Sequence, residues 1–284
     1  MKLLFSPPRA AALTISAACW LGASGQAGAQ TPVGDYRFQN VYTSTGGTLG
    51  ALTPLNPGGL SFVDATVNGV NQRVLQTAST NQSADPVNAA NNEGGVQTPA
   101  NPFASGSQYS ALLVSSLTIN TANVGATKVF DFKGLTTDAG LYVNATTGLL
   151  QFIDGTGVVV TGATGANPVT TGTYFQLGLT RTAAGVVTAY LDGTQQFQFT
   201  DTNNLAVIAN VLTLFVDDGT GVGGTVVNEG TTGNIARLRL FNEPLSQAQV
   251  AAFAVPEPST WAAVSVAGAV LGWLVLRRRT QAAA

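Results

Sequence analysis

Apolar and polar residues exchange places every second position along most of this chain, the period of a strand with one face in a core. Phe175, Leu177 and Leu179 alternate with Gln176, Gly178 and Thr180, which predicts a half-buried strand. Val187, Ala189 and Leu191 follow the turn Ala184-Gly185 and end at a second turn, Asp192-Gly193. Phe197 and Phe199 then share one face of residues 196–200. Phe130 and Phe132 lie on one face of residues 128–133, with Asp131 on the other. Residues 109–120, 141–143, 149–153 and 212–216 read as further strands. In residues 236–240 Ala236, Leu238 and Leu240 point inward and Arg237 and Arg239 outward. Nearer the start, residues 36–41 form a short strand. Residues 60–67 and 73–75 pair across Asn68-Gly69, a hairpin signal. Residues 77–103 are rich in Asn, Ala, Pro and Gly and read as a long surface loop. The helical period appears in residues 245–253, where Ser246 and Gln249 form a capping box. That short helix is expected to close one end of a sheet pair. Many short strands about ten residues apart, with glycine in the turns, imply a β-sandwich.

The two ends of the chain break this pattern. Residues 1–29 carry Lys2 and Arg9, then a largely apolar stretch, then Ala27-Gly28-Ala29. This is the order of a secretory signal peptide cleaved before Gln30, and it implies the Sec export machinery and a signal peptidase. The single cysteine, Cys19, has Ser16 three places before it, where a lipoprotein signal needs an aliphatic residue. It leaves with the signal, so the mature chain has neither disulfide nor thiol chemistry. At the other end stand Val255, Pro256, Glu257, Pro258, Ser259 and Thr260, then an uncharged apolar run over 261–276, then Arg277, Arg278 and Arg279. The prolines forbid a helix through 256–258 and keep that segment extended. The run is roughly 24 Å long as a helix, somewhat short of the ~30 Å hydrocarbon core. The arginines hold its far end in the cytoplasm.

These three features, in this order, resemble the PEP-CTERM sorting signal of Gram-negative bacteria. The resemblance implies recognition by an exosortase, a membrane-embedded transpeptidase-like enzyme. It also implies passage from the inner membrane to the cell surface or the extracellular matrix and its exopolysaccharide. The alternative is a plain transmembrane anchor that leaves the domain facing the periplasm.

Residues 30–254 are one domain of ordinary size. They contain seven Lys or Arg and thirteen Asp or Glu, a net of −6. An acidic domain without clustered basic residues is a poor nucleic-acid binder. A second resemblance lies within it. Tyr174-Phe-Gln-Leu-Gly-Leu-Thr-Arg181, then Tyr190-Leu-Asp-Gly193, then Arg237-Leu-Arg-Leu-Phe241 and Pro244-Leu-Ser246 are similar, in order, to strands of the laminin G-like (concanavalin A-like) jelly roll. Tyr174 stands where Trp is usual, and Phe241 where Tyr is. The resemblance implies an all-β jelly roll that acts as a binding, adhesive or structural module, with polysaccharide as a partner.

Chemistry narrows the function. The chain has no histidine, which removes Ser-His-Asp triads, Cys-His pairs and His-based metal sites. Concanavalin A-like glycosidases place two glutamates close together on one strand. No Glu-x-Asp-x-x-Glu pattern occurs here, and Glu229 and Glu243 are fourteen residues apart. A glycoside hydrolase is therefore the alternative, and the expectation is no enzyme. Asp217, Asp218 and Glu229 form the one acidic set with the hard oxygen ligands that Ca²⁺ needs, and Asp131 or Asp138 could join it. The competing reading has these acids capping turns. Phe130, Phe132, Phe175, Phe197, Phe199 and Phe215 are expected in the core, and Tyr142, Tyr174 and Tyr190 at exposed contacts. Asn144-Ala-Thr146 fits a glycosylation sequon, which carries little weight in a bacterial chain.

Overall fold

Two antiparallel sheets pack face to face in the computed structural model, which describes residues 30–78, 94–119, 125–217 and 229–253. The strands are β1 (Gly34–Tyr36), β2 (Gly46–Gly47), β3 (Thr53–Leu55), β4 (Leu60–Val67), β5 (Val70–Thr77), β6 (Gly95–Gln97), β7 (Tyr109–Thr118) and β8 (Ala126–Asp131). They continue as β9 (Gly140–Asn144), β10 (Leu149–Ile153), β11 (Val159–Pro168), β12 (Phe175–Arg181), β13 (Val186–Leu191), β14 (Thr194–Thr200), β15 (Thr213–Leu214) and β16 (Thr232–Phe241). One helix follows, α1 (Gln247–Phe253). The first sheet runs β14-β13-β12-β7-β16-β1-β2, with β5 on β16 beside β1 and β4 on β5. The second runs β11-β10-β9-β8-β15-β6-β3. The protein is thus an all-β sandwich of two antiparallel sheets.

Tight turns fix the register. Asp192 and Gly193 both have positive φ (50° and 76°), as do Asn68 and Gly69 (49° and 84°), which suits two-residue hairpins between right-twisted strands. The first pins Leu191 opposite Thr194 and the second Val67 opposite Val70. A one-residue slip would turn every apolar side chain to the wrong face.

The inner faces meet through aromatic rings. Phe103 stacks on Tyr109 of β7 at 4.8 Å between centroids. Tyr109 lies 6.5 Å from Phe132, Phe132 stacks on Phe152 of β10 at 5.6 Å, and Phe152 meets Phe199 of β14 at 5.0 Å. This line of rings crosses from one sheet to the other and back. Tyr109 reaches into it without leaving its hydroxyl dry, because the hydroxyl donates to the Ala206 carbonyl at 2.7 Å. All six phenylalanines expected in the core are buried.

Several expectations change for reasons the sequence period does not carry. Strand β12 is buried on both faces, not half-buried, because α1 lies across the outer face of its sheet. Leu112, Tyr190, Phe241, Leu245 and Val250 form a second apolar cluster there, with Phe253 against it. Gly178 is the small residue that makes the contact possible, since a Cβ there would stand 2.9 Å from Val250 Cγ1. The helix therefore covers a sheet face; it does not close an end. Its capping box forms as expected, with Ser246 N–H donating to Gln249 Oε1 at 2.9 Å.

A bulge between Ile235 and Arg237 turns Ala236 away from the core, into an outer cluster with Val67 and Val74. The first strand is Gly34–Tyr36 and not 36–41, because Phe38 and Asn40 adopt positive φ. Within the stretch expected to be one loop, β6 joins the second sheet with Val96 in the core; residues 79–93 lie outside the described residues. Residues 212–216 contribute only the two-residue strand β15. Strand β11 has no counterpart in the sequence reading. It is mostly exposed, and two register irregularities offset it from β10.

Leu245 anchors the start of α1 in a buried position. Leu245→Ala is expected to cost about 2–5 kcal/mol, seen as a lower urea midpoint with unchanged slope. A chain ending at Asn242 should lose cooperative unfolding, because Leu112, Tyr190 and Phe241 would face water.

Candidate functional site

Strand β8 carries a lysine where a half-buried strand would place a solvent-facing residue. Register puts Lys128 opposite Tyr142 of β9, on the face away from the sheet–sheet core. Tyr142 belongs to an outer cluster with Ala126 and Ile153, so this face is covered as well. The Lys128 side chain is fully buried. Its Nζ donates to Asp131 Oδ2 at 3.1 Å and stands 3.1 Å from Asp217 Oδ1, both carboxylates being buried. The Tyr142 ring lies 5.3 Å from Nζ, and its hydroxyl donates to the Asp138 carbonyl at 2.9 Å.

Backbone bonds fasten the neighbouring segments to the same place. Lys128 N–H donates to the Glu229 carbonyl at 2.8 Å, and the Thr231 hydroxyl donates to the Lys128 carbonyl. Phe215 N–H donates to Val129 O, which sets the chain entering Asp217 beside β8. Asp138, Asp217 and Glu229 are all buried, and each can bring a carboxylate oxygen within 4.8 Å of the others.

Two of the three acids expected to bind calcium are therefore brought together, and Asp138 joins them. Asp218 lies outside the described residues. Asp131 takes a different role: its Oδ1 accepts the Lys133 and Leu135 N–H groups at 3.0 and 2.9 Å and so folds the loop after β8. Carboxylates suit a hard cation, which takes about six to eight oxygens. Here, however, one of the three, Asp217, already pairs with the Lys128 ammonium, which would repel a divalent ion beside it. The arrangement fits an internal ammonium better than a bound calcium. The sequence held one missed signal for this centre, a lysine directly before Val129 and Phe130 within a strand.

The remaining candidates separate. Glu229 and Glu243 lie beyond opposite ends of the ten-residue strand β16, roughly 30 Å apart by strand length. A glycosidase needs its carboxyl pair ~5–10 Å apart, so these two do not form one. Tyr142 and Tyr190 are buried and not exposed, Tyr190 under α1. Tyr174 is half-buried against Val67 and Val74. Asn144 Oδ1 accepts from Thr146 N–H and Thr147 N–H, so the sequon asparagine holds its own turn. The tail residues 255–260 and 277–279 lie outside the described residues. Among the described residues, no helix is long and apolar enough to cross a membrane.

Two other charged centres are structural. The buried Arg181 side chain pairs with Asp201 at 3.0 Å and donates to the Ser107 carbonyl, which ties β12 to two loops. On the outer face of the first sheet Asp35 receives two bonds from Arg237, at 2.8 and 2.6 Å. Burial pushes the Asp35 carboxyl up, but Arg237, with Arg239 and Arg37, holds it below the usual carboxylate range. Its contribution to stability is therefore complete above the ordinary carboxylate pKa of about 3.9. It is lost as pH falls through the lowered value. Asp35→Asn should melt below the wild type near neutral pH, and the gap should shrink in an acid titration as pH drops below about 4.

No family model and no curated protein matches the chain. Solved structures do. Domain 4 of AbnA, a GH43 extracellular arabinanase from Geobacillus stearothermophilus solved with arabinotriose, aligns with TM-score 0.55 at 17% identity over 80% of this chain and 99% of that one. A structure of botulinum neurotoxin type C, whose cell entry depends on interaction with two ganglioside molecules, aligns with TM-score 0.54 at 9% identity, over 79% of this chain and 50% of that one. The binding domain of Paraclostridial Mosquitocidal Protein 1 aligns with TM-score 0.50 at 12% identity, over 79% and 52%. At these identities the likeness is one of fold: this chain shares the two-sheet β-sandwich of these domains.

Proposed function

We propose that this protein is an exported binding module, sorted by an exosortase to the cell surface or extracellular matrix of a Gram-negative bacterium, with glycan as its ligand. The observation that carries the sorting half is the ordered tail: Val255 to Thr260, the apolar run 261–276 and the arginines 277–279. It begins two residues after the sandwich's last helix ends at Phe253. Export by the Sec machinery and cleavage by a signal peptidase before Gln30 leave a chain whose first residue is held to the domain, since Gln30 Nε2 donates to Glu243 Oε2 at 3.2 Å. Before processing, the tail holds the domain at the inner membrane.

The binding half rests on the fold. The jelly-roll motifs fall in order on β12, β13, β16 and α1, which supports a concanavalin A-like (laminin G-like) assignment. Similar sandwiches include one solved with arabinotriose and one that meets gangliosides. The reading gives the domain no catalytic residues, and the separation of Glu229 from Glu243 supports a binder over a glycosidase.

Intact mass and fractionation from the native host test the route. The wild type should yield a species that starts at Gln30, ends within 255–260 and lies outside the inner membrane. A strain lacking its exosortase should keep the tail in that membrane. A tail retained there in both strains would make it a plain anchor. For the ligand, a glycan array of arabino-oligosaccharides and acidic oligosaccharides should give saturable binding; a blank array would leave a structural matrix protein.

A further inference from the structure

The centre around Lys128 does more chemistry on paper than a surface domain needs for packing. A fully buried ammonium lies 3.1 Å from a buried aspartate on a neighbouring strand end, with a buried glutamate in the same cluster. Such an ion pair carries a large desolvation cost, which a neutral covalent product would remove. The Lys128 and Asp217 side chains have no exposed surface, Tyr142 lies over the ammonium, and Thr231 and Glu229 are tied to the Lys128 backbone. Asp131 is already committed, with two backbone N–H groups on Oδ1 and the Lys128 ammonium on Oδ2. It fixes the nitrogen in place. Asp217 is the carboxyl on a separate segment that also stands 3.1 Å from Nζ, and Glu229, within 4.8 Å of it, is the neighbour able to move a proton.

We infer that Lys128 and Asp217 condense into an intramolecular amide, with Glu229 as proton relay. Within the ion pair the ammonium passes one proton to the Asp217 carboxylate, which leaves a neutral amine and a neutral acid. Nζ adds to Cγ and the C–N bond forms. Glu229 takes a proton from that nitrogen and returns it to the departing hydroxyl. The C–O bond breaks and one water leaves. Nothing is oxidised or reduced, no co-reactant is needed, and Glu229 ends as it began. The remaining amide N–H keeps its acceptor in Asp131 Oδ2. The bond would join β8 to the chain leaving β15 and close a loop of roughly 90 residues, and a cross-link constrains the unfolded chain more the longer the loop it closes. In a mature region without cysteine it would serve where a disulfide cannot form. The inference is independent of the sorting and glycan readings.

Intact mass of the denatured full chain decides it. The wild type is expected one water lighter than its sequence, and tandem spectra of a digest should show a branched peptide joining Lys128 to Asp217. Glu229→Gln and Lys128→Arg should both stay at sequence mass. Glu229→Gln should melt roughly 10 °C lower. A wild type at full sequence mass after prolonged incubation would overturn the inference, whether or not any variant folds. So would a branch at Asp131. A full-mass protein whose melting depends on added calcium would instead mark the carboxylates as an ion site.

Discussion

Ring packing between the sheets is the constraint on which the rest of this structure depends. Phe103, Tyr109, Phe132, Phe152 and Phe199 form one line that passes from the first sheet to the second and back. Large rings supply much of the buried apolar area in a chain with only 9% charged residues, and their tilted and stacked contacts fix how the sheets face each other. Once that spacing is set, each alternate side chain is committed to the outer faces, and the outer faces decide what the protein can do.

Those outer faces are not left to solvent. Helix α1 covers one sheet through Val250 and Leu245, and the β4–β5 hairpin covers another part through Val67 and Val74. Charge is handled in the same buried setting. Asp35 with Arg237, Arg181 with Asp201, and Lys128 with Asp131 and Asp217 each tie strands or loops that are distant in sequence. A buried ion pair adds little net stability relative to apolar packing, but losing one partner is costly. Such pairs therefore specify which segments meet. The Lys128 centre stands apart because two buried aspartates share a single ammonium, with Asp138 and Glu229 beside Asp217.

The route proposed for the protein and its architecture agree in one respect. The last described helix ends at Phe253, and the proposed sorting motif starts at Val255. The apolar clusters among the described residues are all built from residues before the motif. In the proposed route a processing enzyme acts on the tail, which follows the described sandwich, while Gln30 bonds to Glu243 in the loop after β16.

The sequence alone determined the class of fold, most hairpins and the capped helix. Period-two alternation, Asn68-Gly69, Asp192-Gly193 and the Ser246–Gln249 pair are local signals, read from residues within a few positions of one another. The proposed sorting route also rests on linear motifs, which need no fold. Only the tertiary structure decided which faces were covered. The alternation of β12 reads the same whether its outer face meets water or α1, and a one-residue bulge at Ala236 reverses a side chain without a mark in the sequence. Tyr142 and Tyr190 looked like surface residues for that reason. The gathering of Lys128, Asp131, Asp138, Asp217 and Glu229 was equally out of reach. They come from five places across a hundred residues, and only the pairing of β8 with β9 and β15 brings them to one dry centre.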